Sequence, residues 1–146
     1  MEKGINTNQT IQGVLIAILI FTSSCNESTP QTAADSVRAK LMAVTWKVQT
    51  VMADGVDQSS FISGMTINFG SSNYTSTNGG AIWPVNESWK FADAKGTAFE
   101  RSDGIIVTIQ SISDTSLVMS LTWTKTTLGQ GRVQSIPGRY VFTFGI

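Results

Sequence analysis

Leu117-Val118-Met119-Ser120-Leu121-Thr122-Trp123 carries the decision on the fold. Leu117, Met119, Leu121 and Trp123 fall on one side of a period of two, with Ser120 and Thr122 on the other. Strict alternation of this kind marks a strand with one dry and one wet face. The pattern recurs on both sides of the stretch. Upstream, Val44, Trp46 and Val48 alternate with Thr45 and Lys47, and Met65, Ile67 and Phe69 with Thr66 and Asn68. Trp89 and Phe91 flank Lys90, and Ile105, Val107 and Ile109 run in the same way. Downstream, Tyr140, Phe142 and Phe144 close the series.

Turn signals separate these runs. Asp54-Gly55, Asn78-Gly79-Gly80 and Asp103-Gly104 supply residues that tolerate positive φ. No long helical period interrupts them, so parallel crossovers are excluded. The reading is an all-β domain, an antiparallel up-and-down meander of about eight strands that either closes into a barrel or folds into a sandwich. One short helix precedes it. Thr32-Ala33-Ala34-Asp35 reads as a capping box, and Val37 and Leu41 share one face of a helix over residues 33–42. The expected inward set is Trp46, Val48, Met65, Ile67, Phe69, Trp89, Phe91, Ile105, Val107, Ile109, Leu117, Met119, Leu121, Trp123, Tyr140, Phe142 and Phe144.

The first 25 residues read differently. Lys3 gives a basic start, and residues 14–21, VLIAILIF, form an apolar run too short to span a bilayer. Ser23, Ser24 and Cys25 follow at once. This resembles the lipobox of bacterial lipoproteins, with Thr22 where leucine is usual. The resemblance implies that Cys25 is diacylated and becomes the new N-terminus. Acylation would give the lone cysteine a role, and two acyl chains suffice to hold a protein on a membrane. The expected organisation is a lipoprotein signal over 1–25, a polar tether over 26–31 and the β domain over 32–146. The expected location is the bacterial cell envelope, at the outer membrane.

Composition removes several classes of function. The chain has 146 residues, with ten basic and ten acidic side chains and no histidine. Nucleic-acid binding needs a basic surface, and none is visible. Without histidine, and with its cysteine at the anchor, the domain lacks the usual ligands for zinc or iron and the commonest general base. No metal and no cofactor are expected. Asp54, Asp57, Glu87, Asp93, Glu100 and Asp103 sit mostly in turns, where they serve backbone geometry, and no G-x-S-x-G elbow occurs. A non-catalytic protein is expected. Asp35-Ser36-Val37 resembles a short O-glycosylation motif.

The order of features also resembles the small lipocalin-like lipoproteins of Bacteroidetes. A lipoprotein signal and short helix lead to Leu41-Met42-Ala43-Val44-Thr45-Trp46, then to Met65–Phe69, Trp89-Lys90-Phe91 and Tyr140–Phe144. Val44 stands where that family usually has glycine. The likeness covers residues 41–146. It implies an up-and-down barrel, a small or lipid-like ligand, and Trp46 at the barrel floor.

The residues themselves offer one candidate contact site and a core. Trp46, Trp89 and Trp123 are expected at the floor or in the core. Ile82 and Trp83 lie in a loop between Gly79-Gly80 and Pro84, where an apolar pair marks a contact with a ligand or partner unless it folds back as a lid. Two functions follow: a carrier of a small apolar ligand, or a filled barrel that docks on another envelope protein.

Overall fold

The computed structural model describes residues 31–129 and 132–146. The expected signal, the expected anchor at Cys25 and nearly all of the expected tether lie outside the described residues. A helix, α1 (Ala33–Ala43), is followed by β1 (Thr45–Ala53), β2 (Val56–Asp57), a 3-10 turn (Ser59–Ile62), β3 (Thr66–Phe69), β4 (Asn73–Thr77) and β5 (Asn86–Phe91). Then come β6 (Ala98–Arg101), β7 (Ile106–Ile112), β8 (Ser116–Trp123), β9 (Thr127–Gly129), β10 (Arg132–Ser135) and β11 (Gly138–Gly145).

Each barrel strand pairs antiparallel with its neighbour in the order β1-β3-β4-β5-β6-β7-β8-β11, and β11 returns to β1. The result is a closed eight-stranded, lipocalin-like barrel. Closure leaves no free sheet edge around the wall. The β2 strand only extends β1, and β9–β10 form a separate hairpin between β8 and β11. The alternation of β8 meets that of β11 directly: Leu117, Met119 and Leu121 oppose Phe144, Phe142 and Tyr140. All six are buried.

Most of the expected inward set is buried, but Val48, Phe91 and Ile105 only lean on the core. The β1 strand shows why phase matters. Its register against β11 shifts between Val48 and Thr50. The bulge moves the inward face by one residue, so Val51 and Ala53 are the buried positions beyond it. Two strands escaped the alternation test. In β4 and β6 the inward pairs are Tyr74 with Ser76 and Phe99 with Arg101, and one member of each pair is polar.

The helix closes one end of the barrel. Thr32 and Asp35 form the capping box, with Asp35 N–H donating to Thr32 Oγ1 and Thr32 N–H to Asp35 Oδ2, each at 3.1 Å. Arg38 donates to the carbonyl of Ser71, and its guanidinium lies 4.9 Å from the rings of both Trp89 and Phe91. Lys40 pairs with Asp114. Gly96 has φ +72°, and a Cβ there would sit 3.0 Å from Ala34 Cα. Trp46 Nε1 donates to the carbonyl of Leu41 at 3.0 Å, fixing the end of α1 on the start of β1.

The other end carries the 3-10 turn, the loop 78–85, the turn at Asp103-Gly104 and the β9–β10 hairpin. This end is the mouth. The closed barrel and its helical cap lie within residues 32–146.

Candidate functional site

The loop 78–85 turns into the barrel. Trp83 N–H donates to Gly79 O at 3.1 Å, and Ser76 Oγ lies 3.0 and 2.9 Å from the carbonyl oxygens of Trp83 and Pro84. A Cβ on Gly79 would meet Trp83 Cβ at 2.4 Å, so only glycine fits beneath the indole. Trp83 then packs edge-on against Tyr74 and Phe142, with ring centroids 5.5 and 5.6 Å away. Ile82 and Trp83 are 2% and 1% exposed. Of the two arrangements open to this loop, the structure has the lid: Ile82 and Trp83 fold back and form a plug. The physical reason is that Ser76 and Gly79 satisfy the loop's own backbone groups, which frees the apolar pair to leave water.

Arg101 holds this plug and was not found from the sequence. It is 1% exposed. Its Nη1 donates to Ile82 O at 2.7 Å, its Nε to Asp103 Oδ1 at 3.1 Å, and its Nη2 to Asp103 Oδ2. Its guanidinium carbon lies 5.4 Å from the Trp83 ring, in cation–π range. A signal existed. Phe99-Glu100-Arg101 has strand alternation, which puts Arg101 on the same face as Phe99. Burial works against the Asp103 charge, but the hydrogen bond and charge of Arg101 outweigh it and hold the carboxyl below its usual range. Burial pushes the Tyr74 hydroxyl well above its ordinary value, with the Arg101 charge partly opposing. Tyr74 Oη and Trp83 Nε1 are buried with no hydrogen-bond partner. An unmet buried donor costs about 1–3 kcal/mol.

Above the plug, at the mouth, is an apolar pocket of about 200 Å³. Phe61, Ile62, Ile82, Ile136 and Tyr140 line it, with Gln58 and Ser135 at its polar edge. Phe61 is 73% exposed and Ile136 47% exposed. Val85, at the end of the plug loop, is also well exposed. Larger hollows of about 550 and 390 Å³ lie beside the outward faces of β7–β8 and β5–β6. They are lined by hydroxyl and charged groups such as Thr108, Thr122 and Arg139, or Ser88, Lys90 and Ser102. Size favours those hollows, but chemistry and position favour the small one, where apolar surface remains exposed at the open end.

The remaining candidates settle into structural places. Trp46, Trp89 and Trp123 are buried, and each indole N–H has an acceptor: Leu41 O, Asn73 O and Ser135 Oγ. Asp57 accepts from Ser59 N–H at 2.8 Å, and Asp93 accepts from the backbone of Lys95, Thr97 and Ala98. Asp54 accepts from Arg139 N–H at 2.9 Å, bracing the turn on β11. Glu87 bonds Ser102, and Glu100 pairs with Lys90. Among the described residues no group of carboxylates could hold a metal ion, and no helix is long and apolar enough to cross a membrane.

Comparison with family models, with curated proteins and with solved structures found no match for the chain. The fold and site define the class on their own: a helix-capped, closed antiparallel barrel with a plugged interior and an apolar mouth.

Proposed function

We propose that this chain is a non-catalytic binding module of the bacterial cell envelope. Acyl chains on Cys25 would hold it at the outer membrane, and its mouth would receive a small apolar ligand. The observation that carries the reading is the apolar pocket at the end α1 leaves open, rimmed by exposed Phe61 and Ile136. Exposed apolar groups around a concavity mark a contact site. The pocket is smaller than the roughly 300–1,000 Å³ of an enclosing ligand site, so the ligand inserts one alkyl or aryl group. Thr32 caps the start of α1 at the closed end of the barrel, so an anchor at Cys25 would favour a mouth that faces away from the membrane. The acidic side chains engaged in turns and pairs support a binding role over catalysis. The suggested kinship is with the small lipocalin-like lipoproteins of Bacteroidetes.

Native mass spectrometry of residues 26–146, kept from detergent and exposed to envelope lipid extract, tests this. A reproducible adduct that leaves on denaturation is expected. A bare protein mass would sink the carrier reading. A second reading is favoured by the plugged interior: Phe61, Val85 and Ile136 would dock on another envelope protein. A bare mass together with a saturable protein complex that Phe61→Ser abolishes would establish it.

A further inference from the structure

Three buried groups around the plug have hydrogen-bonding capacity that the fold leaves unused. Tyr74 Oη and Trp83 Nε1 lack partners. The Arg101 guanidinium carries five N–H groups, and its bonds run to Asp103 and to the Ile82 carbonyl. The three are contiguous, because the Trp83 ring lies 5.4 Å from the guanidinium carbon and 5.5 Å from the Tyr74 ring. All three can donate, and one carries a positive charge. A cluster of donors around a cation suits an anionic acceptor. At present the neutral main-chain oxygen of Ile82 fills that place. Ile82 also links the two halves of the site. Its carbonyl sits on Arg101, and the residue forms part of the wall of the mouth pocket.

We propose that the ligand is an acid-headed apolar molecule, a carboxylate on an alkyl chain, which displaces the Ile82–Trp83 plug and takes the place of the Ile82 carbonyl on Arg101. Tyr74 Oη then donates to the carboxylate, and Trp83 Nε1 is released to water. The alkyl chain occupies the volume left by the Ile82 and Trp83 side chains and runs out past Phe61 and Ile136. Lys125, whose charge reaches Asp103, offsets the added negative charge. This inference rests on the proposed ligand-binding reading and adds the chemistry of the head group.

The test compares decanoate with decanol at neutral pH, by calorimetry and tryptophan emission, on residues 26–146. Three proteins are needed: the unaltered chain, Tyr74→Phe and Arg101→Lys. Tyr74→Phe keeps the fold, since the deleted hydroxyl has no partner. The acid is expected to bind about tenfold tighter than the alcohol, the factor that a charge-assisted hydrogen bond carries. Its binding should move tryptophan emission to the red. Both substitutions should shrink the preference for the acid, read in each protein as the ratio of decanoate to decanol affinity. Equal affinities for acid and alcohol, or a preference that both variants retain, would overturn the acid-head inference and leave the mouth pocket standing. Failure of both compounds to bind would overturn the ligand-binding reading with it.

Discussion

Gly79 and Trp83 show how far one contact reaches. Because a Cβ at Gly79 would lie 2.4 Å from Trp83 Cβ, Gly79→Ala must move the plug, at a cost of about 1–3 kcal/mol or more. Chemical denaturation should record that loss, with tryptophan emission shifted to the red in the native state. Asp103→Asn tests the clamp. It leaves the Arg101 charge buried without its carboxylate, and removing one partner of a buried pair costs about 3–5 kcal/mol. Tyr74→Phe should act in the opposite sense. Deleting a partnerless buried hydroxyl should raise stability by about 1 kcal/mol, and a lowered melting temperature would show that the hydroxyl has a partner in solution. At this scale the sequence was least legible. For Ile82 and Trp83 the Gly- and Pro-bounded loop left contact and lid both open. Residue type alone does not say that the Ser76 hydroxyl, on the strand that leads into the loop, satisfies the loop's carbonyls.

The elements were more legible, for a reason that also explains the exceptions. Strands such as β8 and β11 declare themselves because every inward position is apolar. In β4 and β6 the inward face includes Ser76 and Arg101, so alternation of hydrophobicity fails where alternation of direction persists. The bulge in β1 breaks phase without any Gly or Pro to announce it. The α1 helix was readable from its capping box, and its stability should depend on that box. Thr32→Ala is expected to cost about 1 kcal/mol, seen as a lower melting temperature with the barrel intact.

The same turns and caps set the pH response. Asp35, Asp57, Asp93 and Asp114 sit below their ordinary 3.8 because of hydrogen bonds from Thr32, Ser59, Thr97 and Lys40. A lowered carboxylate pKa gives stability that is present above the unfolded value and lost as pH falls through the folded one. Tyr74 is raised above 10.0, so its contribution is complete below that pH and lost above it. With no histidine to titrate, melting temperature should be flat between about pH 5 and 8 and fall below about pH 4. A step near pH 6–7 would contradict this.

On the scale of the molecule, the barrel is built asymmetrically. One end is sealed by α1 through Arg38, Lys40 and Trp46. The other gathers the plug loop, the 3-10 turn and the exposed Phe61 and Ile136 around a small apolar pocket. Spacing of strands and turns foretold the meander and the helix. The location of the pocket was not foretold, because Phe61, Ile82 and Ile136 come from three separate connections that only closure brings together. The most direct measurement is isoleucine-methyl NMR on residues 26–146 during titration with decanol. Saturable shifts concentrated at Ile62, Ile82 and Ile136, with Ile67 and Ile109 inside the wall little changed, are the expected result. No saturable shift at those three methyls, or shifts confined to the outer faces of β5–β8, would contradict the mouth as the binding site.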